Sequence, residues 1–248
     1  MSKLRYKDVL EQPELWLTDR QRQWLRPRHM LTVLAHTALY ILNWISVRLI
    51  FRLSVEGQDH LPASGPFILT PNHASPFDPP ILGAAIPLST LRQTYWAGKR
   101  STVLRNPLRR LLSWLTRIIP IDDELTALAP AVAILDQGDN LIWFPEGRRS
   151  IDGRIQTFKP GIGLLLTRCD VPVVPIFIHG AHAAMPPGGR VPRVRTPIRV
   201  KIGSPESAHS LGLTPSPTVE DVNRAVETLR RRIAQLQDSV NSHDVVHP

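Results

Sequence analysis

Pro66-Phe67-Ile68-Leu69-Thr70-Pro71-Asn72-His73-Ala74-Ser75-Pro76-Phe77-Asp78 is the stretch on which the reading of this chain turns. Its first five residues form a short apolar run that reads as a buried strand. The run ends in a loop that carries a histidine and, five positions on, an aspartate. Open α/β sheets place their chemistry where strands end and loops begin. A neutral imidazole can take a proton from a hydroxyl while that oxygen attacks an electrophile. It does so well only when an acceptor holds its second nitrogen, fixing the tautomer and stabilising the imidazolium. Asp78 meets that need if Ser75-Pro76-Phe77 forms a turn, a conformation that serine and proline favour. The same residues also read as an ordinary helix start. Asp78 is then the N-cap, Pro79 the first helical residue, and His73 a loop histidine bonded to backbone. From the heptapeptide alone the two readings stand level.

Working outward, a second apolar run ends abruptly about seventy residues later in Asn140-Leu141-Ile142-Trp143-Phe144-Pro145-Glu146-Gly147-Arg148-Arg149-Ser150. Proline stops the strand, Gly147 permits unusual dihedrals, and an arginine pair follows. Arginine recognises phosphate or carboxylate with several planar donors, and a neighbouring glutamate can orient it or bind a hydroxyl. Taken in isolation, a solvated loop explains this polarity more simply.

Together the two segments resemble the glycerolipid acyltransferases related to 1-acylglycerol-3-phosphate acyltransferase. Asn72-His73 to Asp78 matches their Asn-His-x-x-x-x-Asp block, and Phe144 to Ser150 their Phe-Pro-Glu-Gly-x-Arg-Ser block. Phe158-Lys159-Pro160-Gly161 and Val171-Pro172-Val173-Val174-Pro175-Ile176 are similar to two later blocks, in the expected order. Trp96-Ala97-Gly98-Lys99 through Pro120-Ile121-Asp122 fits the intervening block loosely. The resemblance covers roughly residues 50 to 205 and favours the dyad reading of His73 and Asp78.

That resemblance implies transfer of an acyl group from a thioester to a lysolipid hydroxyl, with 1-acylglycerol-3-phosphate as the leading acceptor. It implies His73 as base and Asp78 as its orienter, with no serine or cysteine nucleophile. Asn72, or backbone N–H groups near it, would hold the dyad or the oxyanion. Glu146, Gly147, Arg148, Arg149 and Lys159 would meet the acceptor. No cofactor is implied beyond acyl-CoA or acyl-carrier protein as co-substrate. Two departures bear on headgroup choice. Asp122-Asp123-Glu124 stands where many relatives carry an arginine, and Arg148 replaces their common threonine. Another lysolipid acceptor, such as an aminolipid or a lysophospholipid under remodelling, therefore stays open. So does a membrane lipid-binding module without turnover.

Composition sets outer limits. The 248 residues suffice for one α/β domain with a substantial core, and 42% hydrophobic content excludes a disordered chain. A net charge of +9 and a pI near 10.5 call for anionic partners. An anionic membrane surface, coenzyme A phosphates or an acidic carrier protein fit that demand. Nucleic acid would meet the charge demand too but ranks last: the arginines are dispersed and no interleaved aromatic platform accompanies them. The single Cys169 excludes an intrachain disulfide, fits a reducing compartment and reads as buried packing. No metal site is expected, because His73 and Asp78 lack paired-ligand spacing and the other histidines are scattered. His179 and His182 read as structural or loop residues. The sequence leaves the oligomeric state open.

Residues 30–47 contain no Asp, Glu, Lys or Arg and are flanked by Arg26, Arg28, Arg48 and Arg52. Eighteen uncharged residues lie at the lower edge of what spans a bilayer. His36, Asn43 and several hydroxyls favour an interfacial helix, with a true span second and a soluble core helix third. The segment lies too far from residue 1 for an ordinary cleaved signal peptide. Lys3 to Arg28, basic and bearing Trp16 and Trp24, suits a headgroup layer. Membrane association at the cytoplasmic face is the expectation, although basic residues at both ends give no topology signal of their own.

Helical stretches are expected over residues 79–87, 106–117 and 125–137, the last stopped by Gly138. The second is amphipathic, with Leu108, Leu111, Leu112 and Leu115 against Arg105, Arg109 and Arg110. Strands are expected over residues 117–121, 141–144, 173–178 and 197–202. This alternation predicts a single α/β domain with a mixed, largely parallel central sheet flanked by helices. Residues 185–193 read as a basic loop. Val222, Val226, Leu229, Ile233 and Leu236 share one face of a C-terminal helix that docks on the domain. The division is then a membrane-associating segment over 1–52, a catalytic domain over 53–237 and a loose tail over 238–248.

Overall fold

The computed structural model describes residues 3–122, 124–214 and 216–246. Its strands are β1 (Arg52–Glu56), β2 (Ile68–Pro71), β3 (Thr94–Lys99), β4 (Ile118–Ile121), β5 (Asn140–Ile142), β6 (Val173–His179) and β7 (Pro197–Ile202). They form one sheet in the order β1-β7-β6-β2-β5-β3-β4. Every pairing is parallel except β6 with β7. The sheet is thus mixed and largely parallel, as its sequence predicts.

β2 sits near the centre, with Ile68 opposite Leu141 of β5 on one side and Val173 of β6 on the other. All four of its residues are buried, which is why it reads as a continuous apolar run rather than an alternating one. Ile68 enters one face of the sheet and Leu69 the other. Burying each contributes on the order of 2 kcal/mol.

Helices cover both faces. Over the Ile68 face lie α1 (Lys3–Glu11), α8 (Glu124–Asp136), α9 (Gly161–Arg168) and α11 (Val219–Val246). Residues 127–135 of α8 are buried on every side, so this helix is core throughout. It ends as expected: Gly138 adopts φ +85°, its N–H reaches the Leu135 carbonyl, and the Asp139 N–H reaches that of Ile134. Val222, Val226, Leu229 and Ile233 of α11 are buried against the domain. The tail expected from Asp238 is instead helical through Val246, because α11 continues without a break; positions 247 and 248 lie outside the described residues.

The first residues also differ from their sequence reading. A capping box between Thr18 and Gln21 starts α2 (Asp19–Trp24), and Gln21 Nε2 donates to the Pro120 carbonyl at β4. Val9, Leu10, Leu17 and Leu25 join the core, and Trp24 is buried. This segment packs on α8 instead of facing outward with its tryptophans.

Over the Leu69 face lie α3 (Met30–Ile50) and α4 (Asp78–Ala85). α3 is amphipathic in the inverted sense. His36, Tyr40 and Val47 face the protein, Asn43 Nδ2 donates to the Pro80 carbonyl, and the Tyr40 hydroxyl accepts from Trp96 Nε1. Leu31, Leu34, Ile41, Leu42, Ile45 and Leu49 are exposed along the opposite side. The helix is long and apolar enough to cross a membrane, with a mean hydropathy of 1.5.

α5 (Leu88–Leu91) leads into β3, and α6 (Arg100–Val103) leaves it. Then α7 (Pro107–Leu115) begins with Asn106 as its N-cap, whose Oδ1 accepts from the Arg109 N–H. Helices packed on sheet faces bury their apolar stripes, but α7 has no buried residue, and Leu108, Leu111 and Leu112 are exposed. α10 (Ala181–Ala184) follows β6.

Candidate active site

β2 and β5 are parallel neighbours, so their C-terminal ends release adjacent loops. One carries His73 and the other Glu146 to Ser150, two segments far apart in sequence. The His73 and Phe144 rings lie 4.2 Å apart, between these two loops.

His73 Nδ1 lies 2.8 Å from Asp78 Oδ2. The turn expected at Ser75-Pro76-Phe77 is present: the Asp78 N–H donates to the Ser75 carbonyl, and Ser75 Oγ accepts from the Phe77 N–H. Asp78 Oδ2 also accepts from the Ala74 and Ser75 N–H groups, at 2.7 and 2.8 Å. Phe77 occupies the N-cap of α4, and Asp78 is its first residue with no capping bond. The carboxylate therefore points back toward His73 and not forward into the helix. That geometry replaces the N-cap reading. The Asp78 side chain is 1% exposed and that of His73 18%. A neutral imidazole whose Nδ1 donates to that carboxylate keeps its lone pair on Nε2.

A brace spans the two loops. Glu146 Oε1 accepts from the His73 N–H at 2.8 Å, and Oε2 from the Gln156 N–H at 3.2 Å. The Ser150 N–H donates to the His73 carbonyl at 2.7 Å. The main chain of His73 is thus held on both sides by the Glu146–Ser150 loop. Burial pushes the Glu146 carboxyl up to about 7, against the pull of its two N–H donors.

Asn72, expected to hold the dyad or the oxyanion, and Glu146, expected to meet the acceptor, are both buried. Asn72 is buried, its Oδ1 accepting from the Ile178 N–H at 2.7 Å and its Nδ2 donating to the Ile178 carbonyl. It continues the β2–β6 ladder with a side chain in place of a strand residue. Glu146 is buried with both oxygens engaged. Each polar atom of the two side chains is engaged in an internal hydrogen bond. Arg148 and Arg149 are exposed beside this brace. Gly147 adopts φ +68°, and a Cβ there would lie 2.8 Å from Lys159 Cε, so the lysine stem crosses directly over it. The structure thus gathers Gly147, Arg148, Arg149 and Lys159 at one loop.

Ser150 and Gln156 were not legible as site residues, and only a serine ending the Pro-Glu-Gly-Arg-Arg run hinted at the first. His182 Nε2 meets the Ile151 carbonyl, and His179 ends β6. No cluster able to hold a metal occurs among the described residues. Cys169 is buried, and burial pushes its thiol up to about 11, which leaves it unreactive near neutrality.

Residues 52–179, more than half of the chain, match the Acyltransferase family model. The chain belongs to this acyltransferase family. Among individual proteins it is 31% identical over 138 residues to human 1-acyl-sn-glycerol-3-phosphate acyltransferase alpha, covering 51% of this chain and 45% of that one. It is 27% identical over 167 residues to the chloroplastic 1-acyl-sn-glycerol-3-phosphate acyltransferase BAT2 of Brassica napus, covering 65% and 47%. The chain spans about half the length of these curated relatives. Its fold matches the crystal structure of PlsC, the 1-acyl-sn-glycerophosphate acyltransferase of Thermotoga maritima. The TM-score is 0.64 at 21% identity, over 94% of this acyltransferase and 88% of that chain.

Proposed function

We propose that this acyltransferase moves a fatty acyl group from a thioester to the hydroxyl of a lysolipid, with 1-acylglycerol-3-phosphate as its acceptor. The observation that carries the reading is the 2.8 Å contact of His73 Nδ1 with a buried carboxylate, on an imidazole that stays 18% exposed. His73 Nε2 takes the acceptor hydroxyl proton as the oxygen attacks the thioester carbonyl carbon. Asp78 stabilises the imidazolium that forms. The tetrahedral intermediate collapses, the C–S bond breaks, and the departing thiolate recovers the proton from His73 as the free thiol. Ester and thiol are the two products. Asn72 and Glu146 position the base without touching either substrate. Arg148, Arg149 and Lys159 supply cations beside the dyad for an acceptor phosphate. The human and Brassica napus relatives, both 1-acyl-sn-glycerol-3-phosphate acyltransferases by name, support this acceptor.

Asp122 favours a second acceptor class. It ends the β4 edge with a carboxylate where the resemblance expects an arginine, and it pairs with Arg100 at 3.0 Å. Paired to each other, that cation and carboxylate add no free positive charge for a phosphate, which leaves an aminolipid or another lysolipid as the second class.

The test is a mass-spectrometric acylation assay on purified protein. Acyl-CoA and acyl-carrier protein are compared as donors, and lysophosphatidic acid is set against a lysoaminolipid and a lysophosphatidylcholine, with His73→Ala as control. Acylation of lysophosphatidic acid that disappears in the variant supports the reading. Preference for the lysoaminolipid moves the acceptor to the second class. Turnover of none of the acceptors by folded protein with either donor overturns acyl transfer and leaves a lipid-binding module.

A further inference from the structure

The first half of α7 is unusual in this molecule. Every residue from Arg105 to Leu112 is exposed, and three of them are leucines on one stripe, with Leu108 64%, Leu111 51% and Leu112 38% exposed. A nine-residue helix with this stripe gains nothing from water on its apolar side. Arg105, Arg109 and Arg110 flank the leucines. Between α2 and α7 runs a groove of about 730 Å³, whose lining includes Trp24, Arg26, Arg105, Arg110, Leu111 and Trp114. A lining that joins indoles and leucine to guanidinium groups suits a molecule that is anionic in one part and apolar in another.

The neighbouring helix points the same way. α3 meets the C-terminal end of α7, where Arg28 donates to the Leu115 and Trp114 carbonyls and the Tyr40 hydroxyl to that of Thr116. Its own apolar stripe from Leu31 to Leu49 is likewise uncovered.

We infer that α7 is a second bilayer contact, separate from α3, built for a surface rich in anionic phospholipid. Leu108, Leu111 and Leu112 enter the boundary between headgroups and acyl chains, while Arg26, Arg105, Arg109 and Arg110 take lipid phosphates. Charge decides for a bilayer over a second copy of this chain. A two-fold interface would bring the same arginines face to face, whereas an anionic membrane is complementary to them. With two feet instead of one, the sheet is held at a fixed attitude to the surface.

Full-length protein is sedimented with phosphatidylcholine vesicles and with mixed phosphatidylcholine–phosphatidylglycerol vesicles. Changing Leu108→Ser, Leu111→Ser and Leu112→Ser together lowers the partition coefficient on mixed vesicles by about tenfold or more. Changing Arg105→Gln, Arg109→Gln and Arg110→Gln together lowers it by about tenfold or more on mixed vesicles only. Circular-dichroism melts check that both variants are folded. If the leucine variant melts far below wild type, Leu108→Glu alone, at the most exposed of the three, gives the same readout. Unchanged partition of a folded leucine variant overturns the inference. So does a wild-type dimer in sedimentation velocity that the leucine changes split into monomers, because that face is then a protein interface.

Discussion

One oxygen of Asp78 receives three donors: the His73 ring and the N–H groups of Ala74 and Ser75. The loop geometry and the orientation of the His73 ring therefore depend on one atom. His73→Ala is expected to lower kcat by about a hundredfold or more, the lower range for a positioned base, with little change in Tm. Asp78→Asn lowers both, since an amide can still accept some of these bonds but cannot stabilise an imidazolium. Steady-state kinetics beside thermal melts separate the two effects. Glu146 gives a prediction in pH. Its carboxyl is raised from 4.5 to about 7 in the folded protein, so the folded state holds the proton more tightly. The stability this contributes is complete below 4.5 and is lost as pH rises to about 7. Wild-type Tm should decline across that window, and Glu146→Gln should flatten the decline while lowering Tm overall.

Among the elements, β2 and the loop after it were readable in advance, because a run buried on both faces is continuously apolar and a His-x-x-x-x-Asp spacing is local. What Asn72 and Glu146 do was not readable. Their partners are Ile178 and His73, 106 and 73 positions away, and nothing in the local pattern of either residue records such a bond. Asn72→Ala leaves the Ile178 N–H and carbonyl unpaired in a buried place, at a cost of about 1–3 kcal/mol. A lower Tm with unchanged acceptor KM is expected; a raised KM at constant Tm would instead give Asn72 a direct acceptor contact. α7 shows another limit of pattern reading. Its leucine stripe revealed that one side is apolar but not what lies against that side.

At the scale of the whole molecule, residues 1–52 do not stand apart from the sheet. Val9, Leu10, Leu17 and Leu25 share the core with α8, so the expected membrane segment is in part an inner layer of the domain. Composition hid this, because four apolar residues among many basic ones look like surface. Removing residues 1–28 is therefore expected to uncover α8 and broaden or abolish the cooperative melt, which differential scanning calorimetry would record. A sharp transition at wild-type Tm would show the layer to be dispensable. The grip of the Glu146–Ser150 loop on the main chain of His73 bears on redesign. That loop is no interchangeable cassette. Transplanting a homologue's version to obtain a new headgroup preference would also shift the backbone of His73, the proposed base, and a failed graft would say nothing about specificity.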